Sequence, residues 1–285
     1  MSKLVFGCGY LGKRVAAQWR QAGHSVHVVT RSSERAVELQ TEGFHPIVAD
    51  VCQPDTLTGL PEAETILYAV GFDRNSNHSI EEVYVDGFEN VLAAISRRTQ
   101  RLIYVSSTGV YGYDDGCWID ETSRCNPTRA GGLACLAAEQ RLQQHPLAEC
   151  SIILRMAGIY GPNRIPRRQD IARGIPLNVA SAGYLNLIHV EDAVQVILRA
   201  EAASATPELY LVSDGQPVLR RDYFWELARL LGLEKPSFES SPANSSREAR
   251  ASGSKRIKNN RMLEKLEISL RFPSYREGLA DGIIG

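Results

Sequence analysis

Short apolar runs alternate with segments of helical periodicity through the first half of the chain. Between residues 11 and 19, and again between 80 and 96, apolar residues recur at helical spacing, which predicts helices with one buried face. Apolar runs without polar alternation are typical of strands covered on both faces of a parallel sheet. Such runs predict strands at 4–6, 25–30, 44–49, 65–70, 102–106 and 150–155, with a further helix at 133–144.

Six strand–helix repeats of this kind predict an α/β fold, a doubly wound parallel sheet of the Rossmann type with right-handed crossovers. We expect a Rossmann domain at residues 1–160 and a smaller substrate-side region at 161–285. In the second region, the sequence pattern predicts short strands at 185–189 and 209–212 and helices at 192–203 and 222–231. Residues 236–254 are rich in Ser, Pro and Ala and are predicted to form a mobile linker.

The composition argues against several classes of protein. The chain has 285 residues, 44% of them apolar, and a formal net charge of −1. A near-neutral chain has no basic field to attract nucleic acid or an anionic membrane, and no apolar run approaches the ~18 residues of a membrane span. The six cysteines form no C-x-x-C pair, so no metal site is expected. We expect reduced thiols in a cytoplasmic protein.

The first predicted strand leads directly into a glycine-rich turn. Gly7 allows a tight turn, Gly9 lets the backbone approach a pyrophosphate, and Gly12 lets the following helix pack closely. The amides at the helix start, around Tyr10 and Leu11, then face the anion. The strand–turn–helix context predicts a dinucleotide site, and a glycine turn without a ligand is the alternative.

Five sequence blocks in this order resemble the extended short-chain dehydrogenase/reductase superfamily, the NAD(P)-dependent epimerases and dehydratases of nucleotide sugars. The G-x-G-x-x-G spacing and the C-terminal residues resemble an atypical bacterial subgroup of that family. The resemblance implies a Rossmann fold, a nicotinamide dinucleotide and hydride chemistry. The blocks are GCGYLG at 7–12, AD at 49–50, VSSTGVYG at 105–112, LRMAGIYGP at 154–162 and IHVEDA at 188–193.

The end of the second predicted strand distinguishes NADP from NAD. An acidic residue there binds the ribose hydroxyls of NAD, whereas an arginine accommodates the 2′-phosphate of NADP. Thr30 stands at the acidic position and is followed by Arg31 and Ser32, which predicts a preference for NADP. The alternative is that Arg31 is a solvated loop arginine.

Further coenzyme contacts are implied by the resemblance. Asp50 would meet the adenine amino group and Val51 would line its pocket, although Asp50 could instead cap the next short helix. The ends of the fourth and fifth strands complete the predicted coenzyme site with Ala69, Val70, Gly71 and Ser106.

The catalytic pattern of the family is incomplete in this chain. The resemblance implies a Ser/Thr, a Tyr and a Lys four residues after the Tyr. Ser107 matches the Ser/Thr, but an alignment on Glu139 puts Gly131 at the Tyr position and Cys135 at the Lys position. Glycine has no titratable group, and a thiol is mostly neutral near pH 7, so the usual proton relay is missing.

Substitute groups stand nearby in the sequence. Tyr113 and Asp114 lie on a predicted loop and are candidate proton donors. Tyr111 either packs under this loop or contacts substrate, and Arg164 lies in a loop that either clamps an anion or is solvated. His189 and Asp192 are interpreted as fixing a loop–helix junction, with Asp192 as the helix cap. Predicted substrate contacts are Thr108, Tyr111, Arg164, Asn186 and His189.

Two classes of function remain open. The first is an NADP- or NAD-dependent epimerase, dehydratase or reductase acting on a small polar or sugar-like molecule. The second is an inactive dinucleotide-binding sensor or partner-docking protein, favoured by the missing Tyr and Lys. A small-molecule substrate is the expected partner, without nucleic acid or membrane. Family analogy also implies a possible homodimer through helices at 80–96 and 133–144.

Overall fold

The computed structural model describes residues 1–203, 206–239 and 253–284. Most of the strands are short and apolar, as the sequence pattern predicts. They are β1 (Ser2–Phe6), β2 (Ser25–Thr30), β3 (His45–Val48), β4 (Thr65–Tyr68), β5 (Arg101–Ser107), β6 (Trp118–Ile119), β7 (Ser151–Met156), β8 (Gly158–Tyr160), β9 (Tyr184–Leu185), β10 (Leu187–His189), β11 (Glu208–Val212), β12 (Val218–Leu219) and β13 (Arg256–Ile257).

Seven strands form the main sheet in the order β11-β7-β5-β4-β1-β2-β3. The pairs β1–β2, β2–β3, β1–β4 and β4–β5 are parallel. The strand order reverses between β1 and β4, and the carboxyl ends of strands at such a reversal are where doubly wound sheets bind ligands. The predicted Rossmann-type α/β fold is confirmed.

The helices alternate with these strands through the first half of the chain. The segment predicted at 80–96 contains a π-helical stretch, Glu82–Asp86, ahead of its regular part. It begins with a reciprocal cap, in which the Glu82 amide donates to Ser79 Oγ and the Ser79 amide donates to Glu82 Oε2. The α-helices are α1 (Gly12–Gln21), α2 (Ser33–Thr41), α3 (Gly87–Ala94), α4 (Ala130–Gln144), α5 (Arg168–Ala172), α6 (Val190–Ala202), α7 (Arg220–Leu230), α8 (Asn260–Leu266) and α9 (Tyr275–Ile284).

The chain divides into two compact units that alternate along the sequence. Unit 1 comprises Met1–Val110, Pro127–Arg155 and Val196–Tyr210, and unit 2 comprises Tyr111–Asn126, Met156–Gln195 and Leu211–Gly285. Of the predicted linker, residues 240–252 lie outside the described residues. The predicted boundary near residue 160 stays a prediction.

Each unit has its own core. In unit 1, Tyr68 on β4 and Tyr104 on β5 pack against Phe88 of α3, with ring centroids 4.5 and 4.6 Å from that phenylalanine. In unit 2, Tyr223 of α7 lies 5.7 Å from Tyr275 of α9, and both are buried. Leu227, one helical turn after Tyr223, is buried on the same helix.

Two local predictions in the second half are wrong. The single strand predicted at 185–189 is divided at Asn186, because β9 pairs with β12 while β10 pairs with β8. Asp192 does not cap α6, which begins two residues earlier. Its carboxylate instead accepts the backbone amides of Arg271 at 2.8 Å and Phe272 at 3.0 Å, a long-range contact that sequence spacing cannot reveal.

Candidate functional site

The turn after β1 lies against the end of β4, at the point where the strand order reverses. Gly7 has a φ of +87°, and a side chain on it would overlap the backbone of Ala69. The Ala69 amide donates to the Phe6 carbonyl at 2.8 Å. A side chain on Gly12 would overlap the Gly7 carbonyl, so the two glycines allow α1 to begin directly against this turn.

Gly9 borders open space, unlike its two neighbours in the motif. No atom of the described part of the chain lies within 4 Å of the position a Cβ would take on Gly9, and the same holds for Gly71 after β4. Among the residues that the structure describes, no side chain caps the N-terminus of the ten-residue helix α1. An uncapped helix start beside open space fits a pyrophosphate, which the backbone around Gly9, Tyr10 and Leu11 would hold.

Ser32 and Arg31 have different surroundings at the end of β2. Ser32 caps α2, because its hydroxyl accepts the Arg35 amide at 3.1 Å and donates to Glu34 at 2.6 Å. The Arg31 guanidinium lies 3.4 Å from the Asp73 carboxylate, and both side chains are about half exposed. Sequence reasoning did not anticipate Asp73, which stands 42 residues away in the loop after β4.

The loop after β3 is held by its own contacts. Asp50 Oδ1 accepts the Cys52 amide at 2.9 Å, a local turn. The alternative role of Asp50 as a helix cap is wrong, because Gln53 occupies the cap position of the following short helix. The Val51 carbonyl accepts the side-chain amide of Asn90 at 2.9 Å, which fixes the residue predicted to line the adenine pocket.

Ser106, at the end of β5, belongs to a buried polar cluster. Its hydroxyl donates to Glu139 Oε1 at 2.5 Å. Glu139 also binds Arg155, whose Nη2 lies 2.5 Å from Oε2, and all three residues are at most 5% exposed. The helix position of Glu139 was visible in the sequence, but its partner on β7 was not.

Ser107 stands where α4 begins to pack on the turn after β5. Its hydroxyl accepts the Gly109 amide at 3.0 Å. A side chain on Gly132 would overlap the Gly109 carbonyl, so α4 approaches this turn closely. Thr108 in the same turn is buried.

Gly131 and Cys135 therefore lie on the helix that packs beside Ser107. A Cβ on Gly131 would lie 3.4 Å from Ile80 Cδ1, an ordinary contact. Cys135 is 6% exposed, and burial raises the pKa of its thiol to about 12. The Cys135 thiol is therefore neutral near pH 7 and supplies no positive charge.

In unit 2, the loop after residue 110 pairs with the segment that follows residue 252. Tyr111 is buried, and its hydroxyl donates to the Asp120 carbonyl at 3.3 Å. Lys255 Nζ donates to the Tyr111 carbonyl at 2.5 Å. The Tyr113 carbonyl accepts the Ser254 amide at 3.3 Å. Tyr113 is half-buried and Asp114 is exposed.

Asn186 holds the same segment from another side. Its Nδ2 donates to the Lys255 carbonyl and its Oδ1 accepts the Ile257 amide, both at 2.8 Å. Both polar atoms of this predicted substrate contact are thus bound to backbone. Arg164 is exposed, and its own backbone pairs with that of Gly161.

His189 is fully buried in unit 2. Its ring lies 3.8 Å from that of Phe272 and edge-on to that of Tyr160 at 5.4 Å. Nε2 faces the Asp281 carboxylate at 3.6 Å. Burial lowers the pKa of His189, so the neutral ring predominates at neutral pH.

Among the described residues, the structure shows neither a metal-binding cluster nor a membrane-spanning helix. No group of three or more His, Cys, Asp or Glu side chains there is arranged to hold a metal ion. Within residues 1–203, 206–239 and 253–284, no helix is both long and apolar enough to cross a membrane.

Comparison with known proteins agrees with the geometry of unit 1. The chain is 28% identical to protein YeeZ of Escherichia coli K12 over 244 residues, covering 83% of this chain and 86% of YeeZ. It is 29% identical to short-chain dehydrogenase/reductase family 42E member 1 of Xenopus laevis over 266 residues, covering 81% of this chain and 68% of that one.

A solved structure shares the fold. MoeE5, determined in complex with UDP-glucose and NAD, superposes with a TM-score of 0.80 at 22% identity, covering 100% of this chain and 98% of MoeE5. Residues 4–213 match the NAD dependent epimerase/dehydratase family, a stretch that includes the glycine turn and the ends of β1 to β5. The chain belongs to the NAD dependent epimerase/dehydratase family, and its cofactor is a nicotinamide dinucleotide.

Proposed function

We propose that this protein is an enzyme that carries out NADP-dependent hydride chemistry on a small polar or sugar-like substrate. When bound, the nicotinamide dinucleotide supplies the hydride acceptor or donor. The end of β2 supports a preference for NADP over NAD. Thr30 stands there in place of the acidic residue of NAD-binding proteins, and Arg31 follows on the surface. A guanidinium binds a phosphate through paired hydrogen bonds.

Titration with NADPH and NADH, followed by the change in nicotinamide fluorescence, tests this preference. We expect NADPH to bind more tightly, and Arg31→Ala to weaken NADPH by about tenfold while leaving NADH unchanged. Arg98→Ala is the matched control, because Arg98 is an 84% exposed arginine of the same unit. Tighter binding of NADH by the wild-type protein would contradict the proposal.

Without the Tyr and Lys of the family pattern, proton transfer to the substrate requires other side chains. We infer that Ser107 polarises the substrate oxygen and that Tyr113 or Asp114 donates the proton. The close approach of Gly132 to the turn after β5 supports the alignment that leaves Gly131 and Cys135 where the family has Tyr and Lys. Thr108, Tyr111 and His189 are buried, and both polar atoms of the Asn186 side chain bind backbone. Of the five predicted substrate contacts, the exposed Arg164 is therefore the one that we propose to bind substrate.

Oxidation of NADPH in the presence of a panel of sugar aldehydes and ketones tests this assignment. We expect Ser107→Ala to reduce turnover by a factor of about 10²–10⁴ with unchanged NADPH affinity, since it removes a group that acts on the reacting oxygen. Tyr113→Phe and Asp114→Asn separate the two candidate donors, because only the variant that lacks the proton donor loses turnover.

A second function is favoured by Cys135, which stands where the family has Lys and whose buried neutral thiol supplies no cation. In this alternative the protein binds the dinucleotide without turnover, as a sensor or a partner-docking protein. Tight NADPH binding together with no oxidation of NADPH by any compound of the panel favours it over the enzyme.

We further propose a cytoplasmic homodimer. All six cysteines are free thiols, as expected in a reducing compartment.

Leu133 on α4 is 54% exposed, on one of the two helices through which family analogy places the dimer. Light scattering of the wild-type protein and of Leu133→Glu tests the dimer, which the substitution is expected to dissociate.

A further inference from the structure

The positive charge predicted to recognise NADP already has an anionic neighbour. Arg31 Nη2 lies 3.4 Å from Asp73 Oδ2, which joins the loop after β2 to the loop after β4. Both side chains are about half exposed, so incoming phosphate can reach the guanidinium. A carboxylate and a 2′-phosphate would then compete for one arginine.

The Asp73 carboxylate is held in place by the loop that carries it. Asp73 Oδ1 accepts the Asn75 amide at 3.0 Å, which leaves Oδ2 directed at Arg31. The Asp73 carbonyl accepts the Ser76 amide at 3.1 Å. One residue earlier, the Phe72 amide donates to the Tyr84 hydroxyl at 3.1 Å and ties the loop to the π-helical stretch. These hydrogen bonds restrain the Asp73 carboxylate beside Arg31.

The other charges around the end of β2 have partners of their own. Glu34 accepts the Ser32 hydroxyl, which lowers the pKa of this carboxyl and keeps it ionised. Arg35 pairs with Glu38 on the exposed side of α2. Asp73 is the carboxylate that pairs with Arg31.

We propose that Asp73 is a specificity-determining residue for the coenzyme, which weakens NADP binding by competing with its 2′-phosphate for Arg31. NADP must displace the carboxylate and then bears its repulsion, whereas NAD carries no phosphate there. The inference rests on the proposed NADP preference. It implies that the wild-type protein favours NADP over NAD by a smaller ratio of affinities than Arg31 would produce without Asp73.

The test is the NADPH and NADH affinity of Asp73→Asn, which keeps the shape of the side chain and removes its charge. We expect NADPH to bind about two- to fivefold more tightly and NADH to change less than twofold. The gain should shrink at high salt, because both charges are exposed. Asp55→Asn is the control, since it removes one exposed negative charge of the same unit on the short helix after β3; it should leave both affinities unchanged.

The outcomes separate this inference from the function on which it rests. If wild-type protein binds neither coenzyme, the proposed function fails. If Arg31→Ala weakens NADPH while Asp73→Asn leaves it unchanged, the proposed function stands and the role of Asp73 is overturned. If Asp73→Asn weakens NADH more than twofold, the role is likewise overturned, because Asp73 then binds the ribose of NAD.

Discussion

Glu139 on α4 and Arg155 on β7 form a buried, two-pronged ion pair beside the end of β5. Arg155 Nε lies 2.9 Å from Oε1 and Nη2 lies 2.5 Å from Oε2, with the two side chains 6% and 1% exposed. Ser106 donates a further hydrogen bond to the same carboxylate. Because both charged groups are buried away from water, the attraction between them replaces the hydration that each has lost.

We therefore predict that Glu139→Gln lowers the free energy of unfolding by about 3–5 kcal/mol, since it leaves a buried guanidinium without its counter-charge. Urea unfolding followed by far-ultraviolet circular dichroism measures this loss. Glu89→Gln is the matched control, because Glu89 lies 3.7 Å from Arg141 and both side chains are more than half exposed. That variant should lose less than about 1 kcal/mol. Equal losses in the two variants would contradict the argument.

The main sheet could be predicted from the sequence because its signals are local. β2 matches its prediction residue for residue, and β1, β3, β4, β5 and β7 differ from theirs by one or two residues at their ends, whereas the two-residue strand β6 was not predicted. The glycine turn was equally readable, since Gly7 and Gly12 make contacts that the strand–turn–helix motif specifies.

Contacts between distant parts of the chain account for what the sequence did not show. Asn186 stands where a predicted strand is divided, and its side chain binds residues 69 and 71 positions away. The position of Asp192 in the sequence predicts a helix cap, yet its carboxylate accepts amides 79 and 80 residues later. The Arg31–Asp73 pair depends on which strands are neighbours in the sheet, which a motif within one strand cannot reveal.

A second prediction separates coenzyme binding from folding within one motif. Gly9→Ala places a methyl group in open space, so we expect an unchanged melting temperature but NADPH affinity reduced about tenfold, because the methyl blocks the pyrophosphate. Gly7→Ala is the contrast, since its φ of +87° and its contact with Ala69 make any side chain strained. It should cost more than about 2 kcal/mol of stability. Calorimetry and fluorescence titration of both variants measure the two effects, and a Gly9→Ala protein that binds NADPH normally would refute the site.

The third prediction concerns pH and the buried Asp214 in unit 2. Burial, with the nearby charges of Asp192 and Glu277, raises the pKa of its carboxyl to about 7, whereas its ordinary value is 3.8. Between these values the folded state holds one proton more than the unfolded state. The free energy of unfolding contributed by this group therefore falls as pH rises from about 4 to 7, by up to about 1.4 kcal/mol per pH unit.

Asp214→Asn removes the titrating group and should flatten this part of the stability–pH curve. The measurement is urea unfolding at several pH values, compared with wild-type protein. Asp222→Asn, which changes a 42% exposed carboxylate on α7, is expected to leave the slope as it is. A wild-type slope that persists in Asp214→Asn would assign the pH dependence to other groups.

The last prediction tests whether Asn186 supports the backbone of the segment after residue 252. Its two side-chain hydrogen bonds to Lys255 and Ile257 together contribute about 2 kcal/mol against local opening. Asn186→Leu should therefore speed amide hydrogen exchange at 254–258 by roughly tenfold or more, without a comparable change in β1 to β5. Asn186→Asp retains the acceptor for the Ile257 amide and loses only the donor to the Lys255 carbonyl, so its effect should be intermediate. Unchanged exchange in Asn186→Leu would mean that the other contacts of the segment, the β6–β13 pairing among them, hold it without Asn186.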